Sequence, residues 1–129
     1  MNKLQILLAE DNPALQNVIR FNLLSVGMEV QTASRGDDAL KLFNNFNFDC
    51  LICDHQMPGM AGIDLIRTIR QGNHNPNIPA ILCTSRVLDL DHDYLKNELR
   101  VTAALGKPCS VRQIGSTVLQ ATRPSPEPV

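Results

Sequence analysis

The sequence of 129 residues is poor in aromatic side chains and has no marked excess of either charge. It contains four Phe, one Tyr and no Trp, so it offers few rings on which nucleic-acid bases could stack. Twelve Lys and Arg stand against thirteen Asp and Glu, and the net charge of −1 argues against direct nucleic-acid or membrane binding. No apolar run reaches the roughly 18 residues that a transmembrane helix needs. The length and the 43% apolar content predict one globular domain.

Signs of secretion and of a structural metal are also missing. The apolar stretch near the start is short and is interrupted by Glu10 and Asp11, so it does not resemble a signal peptide. The four cysteines are Cys50, Cys53, Cys83 and Cys109. Cys50 and Cys53 form a C-x-x-C, but in a strand this spacing places them on opposite faces, about 10 Å apart. We therefore predict reduced, apolar cysteines of a cytoplasmic protein.

Short apolar runs alternate with amphipathic stretches along the chain. The predicted strands are residues 4–9, 29–33, 49–53, 78–83 and 102–106. The predicted helices are residues 13–26, 36–43, 63–71, 89–100 and 111–121, the first capped by Asn12 and the last by Ser110. Five such units predict an α/β fold with a doubly wound five-stranded parallel sheet in the flavodoxin-like order 2-1-3-4-5. The predicted domain covers residues 1–122, and residues 123–129, with three Pro, are predicted to be a disordered tail or a truncated linker.

The carboxyl ends of the parallel strands meet at one edge of such a sheet, where ligands bind. The candidate residues directly after the strands are Glu10, Asp11, Asp54, Thr84, Ser85 and Lys107. Taken singly, each is more often a cap or a solvated group, but their joint occurrence at one edge favours a functional site. Two carboxylates 4 Å apart repel by about 4 kcal/mol at an effective dielectric constant near 20, so the cluster needs a cation or protons. Carboxylates with a Lys and a hydroxyl suit Mg²⁺ and phosphoryl transfer.

Four segments together resemble the response-regulator receiver domain of two-component signalling. They are ILLAEDNP at residues 6–13, DHQMPGMAG at 54–62, LCTS at 82–85 and GKP at 106–108. The resemblance runs from Lys3 to about Thr122, which is nearly the whole chain. The D-x-x-M-P-x-M-x-G loop is its most specific single segment, and the four segments in this order are more specific still.

The resemblance implies a role for each matching residue. Asp54 accepts a phosphoryl group from a histidine kinase or a phosphotransfer protein. The implied ligands of Mg²⁺ are Glu10, Asp11, Asp54 and the backbone carbonyl of Gln56. Lys107 pairs with Asp54 and then with the phosphoryl oxygens, Thr84 moves to bond the phosphoryl group, and the peptide bond before Pro108 is cis. The resulting change of conformation alters contacts with a downstream protein or a covalently linked output domain, and catalysis is limited to the domain's own phosphotransfer and dephosphorylation.

The sequence departs from the family's pattern at Ala104, three positions before Lys107. An aromatic residue is usual there, and its ring swings inward as the Thr moves, which links the site to the face formed by helix 4, strand 5 and helix 5. An alanine has no ring to move, so we predict weaker or rerouted coupling to that face. The predicted helix 5 also carries few charges besides Arg112, which favours a monomer over a dimer formed through that face.

Three other functions compete with the receiver-domain interpretation. A haloacid-dehalogenase-type phosphatase needs a second Asp two residues after the nucleophile, but Gln56 occupies that position. A nucleotide-binding domain needs a Gly-rich loop after the first strand, where this chain has acidic residues. A receiver-like interaction module that is never phosphorylated stays open because of Ala104. The three histidines are predicted to be exposed. His74 and His92 lie in polar segments, and His55 is predicted to have no role, with action on the water that attacks the phosphoryl group as the alternative.

Overall fold

Five strands and five helices alternate along residues 3–108 and 110–123, which are the residues that the computed structural model describes. The strands are β1 (Gln5–Ala9), β2 (Glu29–Ala33), β3 (Cys50–Cys53), β4 (Ala80–Thr84) and β5 (Ala103–Gly106). The helices are α1 (Pro13–Ser25), α2 (Gly36–Asn45), α3 (Gly62–Gln71), α4 (His92–Asn97) and α5 (Val111–Thr122). A single 3₁₀ turn, Val87–Asp89, lies between β4 and α4.

The five strands form one parallel sheet in the order β2-β1-β3-β4-β5, which confirms the predicted topology. Ala9 at the end of β1 pairs with Cys53 at the end of β3, and Thr84 pairs with Gly106 at the ends of β4 and β5. The residues that follow β1, β3 and β5 directly are Glu10, Asp54 and Lys107. The strand register therefore delivers these three side chains to one edge of the sheet.

The sheet is covered by helices on both faces, and the alternation of side chains along each strand supplies two apolar layers. Along β1, Ile6 and Leu8 belong to the layer under α1 and α5. Leu7 and Ala9 belong to the opposite layer, under α2, α3 and α4. Every residue of the inner strands β3 and β4 is buried, which explains their uninterrupted apolar sequence.

The predicted caps of the first and last helices are confirmed. The Asn12 side chain accepts a hydrogen bond from the backbone N–H of Leu15 at 3.1 Å, and Pro13 occupies the first position of α1. The Ser110 hydroxyl accepts one from the backbone N–H of Gln113 at 3.0 Å. Each cap satisfies a backbone donor that the first turn of a helix leaves free.

The prediction of a helix over residues 89–100 is wrong at both ends. Asp89 ends the 3₁₀ turn instead, and Asp91 begins α4 as its cap by accepting from the backbone N–H of Tyr94 at 3.1 Å. The helix has only six residues, and beyond it Arg100 adopts a left-handed conformation with φ of 54°. The cap at Asp91 separates the 3₁₀ turn from α4, and the left-handed conformation of Arg100 prevents the helix from continuing.

The prediction for His74 is wrong, whereas the prediction for Cys50 and Cys53 is confirmed. His74 is half-buried rather than solvated, because its Nε2 lies 3.1 Å from the Phe46 carbonyl oxygen and its ring meets the edge of Phe43. Cys50 and Cys53 are buried thiols in opposite apolar layers, as predicted. Burial raises the pKa of Cys50 to about 12, so this thiol stays protonated and unreactive.

Some of the sequence predictions concern residues outside the described ranges, namely Cys109 and the end of the Pro-rich segment at 124–129. Across the described residues, none of the helices has both the length and the apolar character to cross a membrane.

The loop after β3 is closed by Gly62 at the start of α3, whose backbone N–H donates to the His55 carbonyl at 2.9 Å. A methyl group at Gly62 would overlap the carbonyl oxygen of Asp54 and lie only 2.9 Å from its carbonyl carbon. The obstructing atoms are backbone, so they cannot rotate away. The absence of a side chain at Gly62 therefore allows the start of α3 to lie directly against the backbone of Asp54.

We expect Gly62→Ala to lower the free energy of unfolding by about 1–3 kcal/mol, because overpacking against backbone forces the loop to shift. Urea denaturation followed by circular dichroism measures this change. The matched control is Gly72→Ala, whose new methyl would lie at an ordinary 3.6 Å from its nearest neighbours. Equal stability of the two variants would contradict the tight approach at Gly62.

Candidate functional site

Three carboxylates meet at the carboxyl edge of the sheet. One oxygen from each of Glu10, Asp11 and Asp54 lies within 4.8 Å of the other two. Glu10 is 2% exposed and Asp54 is 7% exposed, whereas Asp11 is open to solvent. The structure therefore brings together the acidic residues that the sequence predicted after strands 1 and 3.

The ammonium group of Lys107 bridges two of these carboxylates. Its Nζ donates to Glu10 Oε1 at 2.7 Å and to Asp54 Oδ2 at 2.9 Å. The backbone N–H of Lys107 donates to the Thr84 carbonyl at 2.9 Å, which ties the end of β5 to the end of β4. The Lys107–Pro108 peptide bond is cis, as the resemblance implied.

Burial and pairing act in opposite directions on the Lys107–Glu10 pair. Burial raises the pKa of Glu10, and the hydrogen bonds from Lys107 and the Asn12 backbone offset this only in part. Burial works to lower the pKa of Lys107, but the bonds and charges of Glu10 and Asp54 outweigh it and raise that pKa. Burial thus opposes ionisation of Glu10, while the two carboxylates stabilise Lys107 as a cation.

The charges of the cluster do not cancel. Three carboxylates against one ammonium, −3 + 1, leave a formal charge of −2 at the sheet edge. The atoms that could ligate a metal are all carboxylate oxygens, and one of them belongs to the exposed Asp11. Mg²⁺ prefers such a set, in which a few carboxylates bind it together with water molecules. The residues present therefore fit a divalent cation in both chemistry and charge.

Both oxygens of Asp54 have hydrogen-bond partners. Oδ2 accepts from Lys107, and Oδ1 accepts from the backbone N–H of Gln56 at 3.2 Å. This bond brings the Gln56 backbone beside Asp54, while ligation of a metal by the Gln56 carbonyl stays a prediction.

The two hydroxyl candidates after β4 lie in different environments. Thr84 is fully buried, and its Oγ1 accepts a long 3.3 Å bond from the backbone N–H of Arg86. Ser85 is exposed. Only Thr84 therefore has a hydroxyl held at a defined place in the protein interior beside the sheet edge.

The prediction that His55 is exposed is wrong. The side chain is half-buried, and its Nδ1 atom is buried with no hydrogen-bond partner among the described residues. His55 follows Asp54 directly in a tight loop, and the sequence carried no signal of that packing.

Sequence reasoning missed two groups that hold the acidic cluster. The backbone N–H of Asn12 donates to Glu10 Oε2 at 3.1 Å, and the side chain of Gln16 donates to the Glu10 carbonyl at 2.8 Å. The signal for Gln16 was its place between the core-facing Leu15 and Ile19 of α1, where a polar side chain needs an internal partner.

Comparison with known proteins agrees with this geometry. Residues 6–119 match the family model described as the response regulator receiver domain. The chain is 39% identical over 82 residues to the phosphate regulon transcriptional regulatory protein PhoB of Rhizobium meliloti, which covers 64% of this chain but only 36% of that protein. It is 32% identical over 83 residues to the chemotaxis protein CheY of Pseudomonas aeruginosa, which covers 64% of this chain and 67% of that protein.

Among solved structures, the chain resembles the receiver domain of the sensor histidine kinase PA1611 from Pseudomonas aeruginosa. The identity is 27% and the TM-score is 0.82, with 94% of this chain and 98% of that chain covered. That structure has a magnesium ion coordinated in its active-site cleft. The family model covers most of the chain, and the fold and the acidic edge agree with it. The chain therefore belongs to the response regulator receiver domain family.

Proposed function

We propose that this chain is a phosphorylation-dependent signalling switch whose Asp54 accepts a phosphoryl group, with Mg²⁺, from a histidine kinase or a phosphotransfer protein. The observation that carries the proposal is the bridge from Lys107 Nζ to the carboxylates of Glu10 and Asp54 beside Asp11. The magnesium ion in the PA1611 receiver domain supports Mg²⁺ as the cation.

In the proposed reaction, a carboxylate oxygen of Asp54 forms a bond to the phosphorus of a phosphohistidine. The phosphorus–nitrogen bond breaks, and the electron pair leaves with the imidazole, which yields an acyl phosphate on Asp54. Lys107 already contacts Asp54, so its ammonium is in place to neutralise the arriving phosphoryl oxygens. A bound Mg²⁺, held by Glu10, Asp11, Asp54 and the Gln56 carbonyl, supplies further charge neutralisation.

The proposed switch begins at Thr84. Among the described residues, its hydroxyl has only the long bond from Arg86 to lose, so a phosphoryl group on Asp54 is a stronger partner for it. Movement of Thr84 pulls on the 3₁₀ turn Val87–Asp89 and on β5, to which its carbonyl is bonded through Lys107. The added negative charge thereby biases the loop between β4 and α4 toward a second arrangement.

The rest of the proposal concerns partners and surroundings. The surface that changes on phosphorylation contacts a downstream protein or a linked output domain. Both possibilities agree with the relatives, because the matched region is about a third of PhoB and two thirds of CheY. A cytoplasmic location is supported by the buried thiols of Cys50 and Cys53, which form no disulfide. We propose a monomer that catalyses only its own phosphotransfer and dephosphorylation.

Incubation with acetyl phosphate and Mg²⁺ is expected to add one phosphoryl group to the wild-type chain, as measured by intact-protein mass spectrometry. Asp54→Asn removes the nucleophile and is expected to abolish the gain. Asp38→Asn, which changes an exposed carboxylate on α2, is the control and is expected to behave like the wild type.

Failure of the wild type to gain an Asp54-dependent phosphoryl group, from this donor and from histidine kinases alike, would favour the unphosphorylated interaction module instead. Phosphorylation that persists in Asp54→Asn would contradict the assignment of the nucleophile.

Lys107→Met is expected to lower the free energy of unfolding by about 2–4 kcal/mol at pH 7, because it leaves buried carboxylates without their cation. Burial already raises the pKa of Glu10, and loss of the ammonium raises it further. The deficit is therefore expected to be larger at pH 7 than at pH 5, because protonation of Glu10 removes a buried charge that the variant leaves without a partner. Urea denaturation at both pH values measures it, with the exposed Lys41→Met as control, and a deficit of equal size at both would refute the explanation.

Ala104 is expected to weaken the transmission from Thr84 to the face formed by α4, β5 and α5. A groove of about 310 Å³ lies between α4 and β5 beside Ala104, so there is room for an aromatic ring at position 104. Amide shift mapping with and without beryllofluoride, a phosphoryl mimic, should show shifts concentrated at the site in the wild type. Ala104→Tyr should extend them, and large coherent shifts across residues 88–122 of the wild type would contradict the prediction.

A further inference from the structure

The side chain of Gln16 reaches from α1 to the place where β1 and β2 end. Its Nε2 donates to the Glu10 carbonyl at 2.8 Å, and it lies 3.4 Å from the Ala33 carbonyl and 3.3 Å from the Ser34 hydroxyl. Gln16 is half-buried, and its own backbone N–H donates to the Asn12 carbonyl at 2.9 Å. The carboxamide is therefore carried by a fixed turn of helix.

The bond to Glu10 continues the sheet beyond its last ladder pair. Ala9 pairs with Ala33, and the Glu10 backbone N–H still donates to the Ala33 carbonyl at 3.0 Å. The Glu10 carbonyl lies beyond the last β1–β2 ladder pair, and it accepts its hydrogen bond from the Gln16 side chain instead. Because a peptide unit is planar, holding this carbonyl oxygen also orients the N–H and Cα of Asp11.

The carboxylates of Glu10 and Asp11 are held in different ways. The Glu10 side chain is fixed directly, by Lys107 and by the Asn12 backbone. The Asp11 side chain is exposed and, within the described residues, no hydrogen bond or ion pair to it is found, so its place depends on the backbone that carries it. A rotation of the Glu10–Asp11 peptide would therefore move Asp11 away from the other two carboxylates.

We propose that Gln16 is a positioning residue of the acidic cluster. It holds the Glu10–Asp11 peptide so that the Asp11 carboxylate reaches the cation bound by Glu10 and Asp54. The inference rests on the proposed function, since it assumes that the cluster binds Mg²⁺. A cation with strict octahedral geometry is sensitive to such placement, and partners of ligand groups commonly contribute tenfold or more to metal affinity.

A carboxamide suits this role because it donates without adding charge. The cluster already has an excess of negative charge, and the acceptors around Nε2 are two carbonyl oxygens and a hydroxyl. A carboxylate at position 16 would face those carbonyl oxygens with oxygens of its own. A thioether of similar length fills the same space but provides no donor.

The test is a Mg²⁺ titration followed by the amide shifts of Asp11 and Asp54, in the wild type and in Gln16→Met. We expect Gln16→Met to bind Mg²⁺ about tenfold more weakly or worse. The matched control is Gln113→Met, which makes the same replacement on the exposed surface of α5 and is expected to keep the wild-type affinity. Thermal unfolding without Mg²⁺ is measured in parallel to separate loss of stability from loss of placement.

A second variant, Gln16→Asn, keeps the carboxamide but shortens its reach, and it provides the test if Gln16→Met does not fold. Wild-type Mg²⁺ affinity in the folded variants, even with a lower melting temperature, would show that Gln16 is structural only and would overturn this inference alone. Absence of Mg²⁺ binding by the wild-type chain would overturn the proposed function together with it.

Discussion

The burial of like charges at one edge of the sheet is the constraint on which the rest of this structure depends. Glu10 and Asp54 are almost without contact with water, yet they lie beside each other and beside Asp11. Transfer of a carboxylate from water into a protein costs several kcal/mol, and proximity of a second one adds to that cost. A single ammonium, from Lys107, relieves part of it and leaves the cluster short of positive charge.

The sheet topology makes this arrangement possible. In the order β2-β1-β3-β4-β5, the strands that directly precede Glu10 and Asp54 are neighbours, and β4 and β5 follow on one side. All four strands run in the same direction, so their carboxyl ends collect the residues of one site. The apolar layers on both faces hold those ends in register, which lets the edge carry charges that repel one another.

The elements that could be predicted from sequence are those whose signals are local. The inner strands, the Asn12 and Ser110 caps and the strand order follow from apolar runs, capping residues and the handedness of crossovers. The fourth helix was predicted too long because Asp91, a capping residue, looks like any polar residue within a polar stretch. His74 was misjudged and Gln16 was missed because their partners are backbone carbonyl groups, which any residue type can supply. Sequence periodicity contains no record of such partners.

The bridge made by Lys107 has a consequence for how this chain becomes competent to signal. Lys107 lies 97 residues after Glu10 and 53 after Asp54, so the bridge closes some of the longest loops in the molecule. Closing loops of this length has an entropic cost, which is offset once the intervening strands have assembled. No fragment that lacks β5 can complete the charged edge, and during synthesis the edge stays incomplete until β5 has joined the sheet. On the proposed function, full charge neutralisation beside Asp54 therefore requires a chain in which β5 has joined the sheet.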